Sequence, residues 1–184
     1  MAHRCFGRPV LRRLVHRENP SLGQVERAVT PTPESQRLVS RGDRLFRDML
    51  VKHGFKEGPW DLPGGWRCYL TDVIKSADRA GQWAKTPRAV QLATVEASAP
   101  VLRCELETGR PRLVVTLGKP AARFLDHLAH RGHLPPLPSR VALPHYSYIA
   151  MRAQGKLGPM HPERIAAYDA LFAEVATRVA SAVE

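Results

Sequence analysis

The sequence predicts an α/β domain, a three-layer α/β/α sandwich around a mostly parallel central sheet. Two observations carry this. Short runs dense in β-branched and aromatic residues alternate with segments of helical apolar spacing, the pattern of successive parallel β–α units. The length of 184 residues suits one hydrophobic core and is short for two, so residues 1–184 are read as a single domain. The composition, 43% hydrophobic and 24% charged, is that of an ordinary soluble globular chain.

Residues 1–17 are poorly patterned: Val10-Leu11 and Leu14-Val15 suggest a short strand that Arg12, Arg13, His16 and Arg17 interrupt. Asn19-Pro20-Ser21-Leu22-Gly23 reads as a turn. Thr30-Pro31-Thr32-Pro33 is extended, because each proline excludes its predecessor from the α region. Leu45, Phe46, Met49 and Leu50 have helical spacing, and Gly54 suits a C-cap. Trp66 to Ile74 is the first convincing buried strand. A helix is expected from Thr86-Pro87, with a kink or restart at Pro100 and an end at Gly109-Arg110-Pro111. Arg112 to Leu117 is a second strong strand, and Gly118-Lys119-Pro120 turns directly into a helix from Ala121 to His130. Arg140 to Leu143 is a short strand, Pro144 to Tyr148 a loop, and the last helix runs from about Pro162 to Val183.

The charge is unusual. Lys plus Arg number 28 against 17 Asp plus Glu, a formal net charge of +11. A domain this basic points to a polyanion such as nucleic acid. Cys5, Cys68 and Cys104 are odd in number, far apart and without a C-x-x-C pair, which argues against a disulfide framework and a zinc site. No stretch has the length of a transmembrane helix. The Arg-rich start lacks the apolar run of a secretory signal. The expected setting is the cytoplasm, and the expected state a monomer.

In a parallel sheet the site lies at the carboxyl ends of the strands. The loop at Glu18 to Ser21, the end of the Tyr69 to Ile74 strand and the loop from His145 would meet there. Three runs carry a family likeness. They are Tyr69-Leu70-Thr71-Asp72-Val73-Ile74-Lys75, then Arg110-Pro111-Arg112-Leu113-Val114-Val115-Thr116-Leu117-Gly118-Lys119-Pro120-Ala121-Ala122, then His145-Tyr146-Ser147. In order and content they resemble the uracil-DNA glycosylase superfamily over roughly residues 38 to 180. The nearest patterns are Y-x-T-N-V-V-K, R-P-x-x-V-V-x-L-G-x-x-A-A and H-P-S, from the branch that carries an iron–sulfur cluster.

The resemblance implies hydrolysis of the glycosidic bond of a base flipped out of DNA. His145, at the His of H-P-S, would stabilise the anion growing on the departing base. Arg17-Glu18-Asn19-Pro20-Ser21 loosely matches the superfamily's first motif, so Glu18 or Asn19 would orient the attacking water, with Arg17 in place of a glycine. Asp72 stands where the family's Asn reads the base edge. An ionised carboxylate only accepts hydrogen bonds, so uracil recognition would be weakened or altered; the alternative is an ion pair with a nearby Lys or Arg. Leu38 replaces the Phe that stacks on the base, and is also a plain core residue.

Phosphates would fall to Lys75, Lys119, Arg152, Lys156 and the Ser147 hydroxyl, with Tyr146 or Tyr148 as a wedge into the helix. Ser76 and Ser98 stand where the branch places cluster cysteines, so no iron–sulfur cluster is expected and no other cofactor is called for. His127, His130 and His133 recur at intervals of three but fit a helix C-terminus better than a metal. Two further readings stay open: a non-catalytic DNA-binding module on the same fold, and an unrelated α/β enzyme for an anionic small molecule.

Overall fold

The computed structural model describes residues 13–17, 40–62, 65–76, 82–150 and 158–181. Among them, β1 (Arg13–Arg17), β2 (Tyr69–Asp72), β3 (Leu113–Leu117) and β4 (Ser139–Leu143) form one sheet in the order β2-β1-β3-β4. Every neighbouring pair is parallel. The helices are α1 (Arg41–Lys52), α2 (Arg88–Gly109), α3 (Lys119–His130), α4 (Tyr146–Ala150) and α5 (Pro162–Ser181), with a 3-10 turn at Trp83–Lys85.

The apolar run of β3 follows from its place. It lies between β1 and β4, and all five of its residues are buried. A strand covered on both faces reads as continuous rather than alternating hydrophobicity. Alternate side chains separate two apolar clusters. Leu113, Val115 and Leu117 join Leu45, Phe46, Leu50, Tyr168, Phe172 and Val175 of α1 and α5. Val114 joins Val95, Leu102, Leu106, Phe124, Leu125 and Leu128 of α2 and α3. Each such large side chain contributes roughly 1.5–3 kcal/mol on burial.

Helix α1 begins where Ser40 accepts a hydrogen bond from the Asp43 N–H at 3.1 Å, the usual way a free first-turn donor is satisfied. It gives way at His53 to Gly54, whose φ of +73° suits glycine.

Four expectations are corrected. Arg13, His16 and Arg17 do not interrupt the first described strand but belong to it: with Leu14 and Val15 they form Arg13–Arg17, interior to the sheet, while Val10 and Leu11 lie outside the described residues. Pairing with β2 on one side and β3 on the other fixes this strand through the backbone, which a count of charged residues does not register. The strand at Trp66 to Ile74 shrinks to Tyr69–Asp72; Trp66 instead bridges Lys56, while Val73 and Ile74 are buried beyond the last paired residue. There is no restart at Pro100: helix α2 runs as one element through it, with Ala99 and Leu102 buried on either side. Tertiary burial there outweighs the one hydrogen bond that proline forfeits. The loop expected at Tyr146 to Tyr148 is the start of α4, held by buried Tyr146 and Ile149.

Cys68 is buried and belongs to the apolar cluster under α1 and α5. Among the described residues, no helix is long and apolar enough to cross a membrane.

Candidate active site at the carboxyl rim of the sheet

Parallel strands bring their carboxyl ends to one rim. Arg17 lies opposite Asp72, and Leu117 opposite Leu143. The segments that leave this rim begin at residue 18 after β1, at Val73 after β2, at Gly118 after β3 and at Pro144 after β4. Glu18, Asn19, Leu38, Arg152 and Lys156 lie outside the described residues.

His145 is half-buried in the link from β4 to α4. Its Nδ1 accepts the Ser147 backbone N–H at 3.2 Å and lies 2.7 Å from the Ser147 hydroxyl. A backbone N–H only donates, so Nδ1 presents its lone pair and the proton of the neutral ring sits on Nε2. The ring is backed by Tyr146 at 4.1 Å between centroids. Gly118 closes the other side. Its φ of +88° and ψ of 153° lie in a region kept almost wholly for glycine, and an added Cβ would sit 3.2 Å from the His145 Cβ. The Gly118 N–H donates to the Leu143 carbonyl at 2.7 Å, which ties the ends of β3 and β4 together beside the histidine.

Tyr146 is not a wedge. It is 5% exposed and stacks on Phe46 with centroids 5.2 Å apart. The apolar first turn of α4 faces the core, so the even-numbered tyrosine two positions on takes the outer place. Tyr148 is 61% exposed, with the Arg164 guanidinium 4.8 Å from its ring centre. Ser147 spends its hydroxyl on His145 in this arrangement. Lys119 is exposed at the first position of α3.

Lys75 turns away from the rim. Its ammonium meets Glu105 of α2 at 2.8 and 2.9 Å and also bonds Thr71. Burial holds it below the ordinary lysine value, while Glu105 and, more weakly, Asp72 support its charge. The Tyr69 hydroxyl donates to the same carboxylate at 3.2 Å, and burial followed by that negative charge pushes the phenol up to about 12. The Thr71 hydroxyl donates to it as well, at 3.1 Å, so Glu105 collects three donors. Sequence reasoning missed it, although an acid between the core positions Leu102 and Leu106 of an expected helix was a usable sign. Asp72 itself is half-buried at the end of β2.

The positions where the resemblance sets cluster thiolates are Ser76 and Ser98. The Ser98 hydroxyl accepts the Lys75 N–H at 3.0 Å and donates to the Thr94 carbonyl at 3.0 Å. Neither residue offers the thiolate such a cluster needs, so the residues present do not fit it. Elsewhere, His127 bonds Glu96 at 2.9 Å, with Arg131 and His133 near the same carboxylate. Among the described residues, no group of three or more His, Cys, Asp or Glu is placed to hold a metal ion.

No curated protein sequence matches the chain. The family profile of the uracil DNA glycosylase superfamily matches residues 8–171. That span takes in all four strands and the link that carries His145. The chain therefore belongs to the uracil DNA glycosylase superfamily, which implies DNA binding and a glycosylase-like role.

Proposed function

We propose that this chain hydrolyses the N-glycosidic bond of a deaminated base, uracil or a relative, extruded from DNA in base-excision repair. The hydrogen bond from the Ser147 N–H to His145 Nδ1 carries the reading. It leaves Nε2–H as the donor form of the ring at the rim. Water adds its oxygen to C1′ of the sugar as the C1′–N bond breaks. The base departs with the electron pair, and a fixed donor steadies that charge before the base takes up a proton. Glu18 or Asn19 orients the water, Asp72 reads the base edge and Leu38 packs on its face. Lys119, Arg152 and Lys156 hold phosphates, and Tyr148 takes the part of the wedge. The reaction calls for no metal or organic cofactor. The two apolar clusters divided by β3 support the finer fold, an α/β/α sandwich.

A second reading, a non-catalytic DNA-binding module, draws on Asp72, whose carboxylate offers uracil O4 no donor. An alkaline-cleavage assay on oligonucleotides carrying one uracil, hypoxanthine or xanthine separates the two. The expected result is strand cleavage on at least one of these, reduced roughly 10²–10³-fold by His145→Ala. Salt-dependent binding with no cleavage of any base would establish the second reading instead.

A further inference from the structure

Resting on the reading that DNA is the partner, we propose that its phosphate backbone runs over an exposed cationic face built by Lys85, Arg88, Lys119 and Arg123. Helices α2 and α3 lie side by side in the same direction. Arg88 stands over Phe124 at 4.9 Å, His127 bonds Glu96, and farther along Arg103 bonds the Gly132 and His133 carbonyls. Their first turns therefore come to the rim that holds His145. All four cations are exposed. Residues 82–95 and 118–125 contain no Asp or Glu, and the first turn of each helix is free of acid.

The arrangement is continuous with the site. Gly118 touches His145, Lys119 follows it, and Arg123 lies one turn on along the same face of α3. Arg88 then extends the face onto α2, its guanidinium 4.9 Å from the centre of the Phe124 ring. Like charges at i and i+4, as at Lys119 and Arg123, repel each other and cost a free helix stability. A polyanion offsets that cost. Farther along the pair the cations have an acidic partner: Glu96 gathers His127, Arg131 and His133, and Arg140 pairs with Asp126.

The test measures binding to a uracil-free DNA duplex over a range of salt, with the full chain. Arg88→Gln with Arg123→Gln removes two cations from the face. Arg110→Gln with Arg178→Gln removes the same charge from the far end of α2 and from α5. The slope of log K against log salt is expected to fall by about 1.8 in the first variant, the value for two lost phosphate contacts, and far less in the second. Lys85→Gln with Lys119→Gln, neither of which stacks on a core ring, repeats the measurement should the first variant melt early. Equal slopes in the face and far-end variants would overturn the proposal. So would a loss of affinity confined to an RNA duplex. A wild-type chain with no affinity for DNA at low salt would sink the functional reading itself, an outcome distinct from either.

Discussion

His145 owes its chemistry to two neighbours, and each makes a separate prediction possible. Gly118 is required twice over, by its backbone angles and by the 3.2 Å approach to the His145 Cβ. Gly118→Ala is expected to cost roughly 1–3 kcal/mol in stability from backbone strain. It is also expected to lower turnover at least tenfold by displacing the imidazole, because small misplacements of a reacting group are expensive. Thermal melts and single-turnover rates on the same preparation check both; a variant that melts earlier but turns over normally would dissociate Gly118 from the site. Asp72 poses the question of base choice. A carboxylate accepts N3–H but repels O4, whereas an amide satisfies both. Asp72→Asn is expected to raise uracil removal by about tenfold or more, since a correctly paired polar edge is worth 1.4 kcal/mol or better. Unchanged uracil removal would mean that this side chain does not read the base. The place of Asp72 at a strand end and of His145 just after one was legible in the sequence, because each lies where a strand pattern gives way to a loop pattern. The Tyr146 wedge was misread for a physical reason: a five-residue helix was hidden in an apparent loop, and its apolar first turn had to face Phe46.

Helix α2 and strand β2 are joined by a polar knot in an otherwise apolar layer. Glu105 receives Lys75, Thr71 and Tyr69, all three from β2 or the turn after it. The knot also explains why a family-motif lysine need not touch DNA: alternation along β2 sends Tyr69 and Thr71 to the α2 side, and Lys75 follows them. The two partners are unequal. Glu105→Ala strands a largely buried ammonium and is expected to cost about 3 kcal/mol. Lys75→Met leaves the carboxylate its two hydroxyl donors and is expected to cost clearly less. The double variant should recover part of the loss, giving a coupling on the order of 1 kcal/mol or more in a double-mutant cycle of urea denaturation. Additive losses would show that Lys75 and Glu105 contribute independently. At this scale the sequence was readable wherever hydrophobic period and punctuation agreed, as in β3 and α3. It was not readable at β1, where backbone pairing on both sides outranks side-chain character, nor at Pro100, where burial on α2 outranks helix propensity.

Across the whole molecule, the alternation of elements was enough to anticipate a parallel sheet and hence a site at its carboxyl rim, since parallel connections leave few other topologies. It could not reveal which helices share a face, because that depends on strand order rather than chain order. One consequence is the clasp between α1 and α5, elements far apart in sequence that cover the same apolar cluster. Lys52 and His53, at the end of α1, meet Asp169 of α5, each at 2.7 Å. The hydrogen bond from Lys52, then that with His53, holds the Asp169 carboxyl below its ordinary value of 3.8. A carboxylate depressed in the fold adds stability that is fully present above its unfolded value and is lost as pH falls through the folded one. The net charge of +11 makes that acid limb steeper, because each carboxylate protonated leaves more unbalanced positive charge. Asp169→Asn should therefore lower stability near neutral pH while flattening its decline on acidification, so that wild type and variant converge below the folded value. Chemical denaturation from pH 7 down to about 3 reads this directly. Curves that fall in parallel over the whole range would show that the clasp holds α1 to α5 by packing alone.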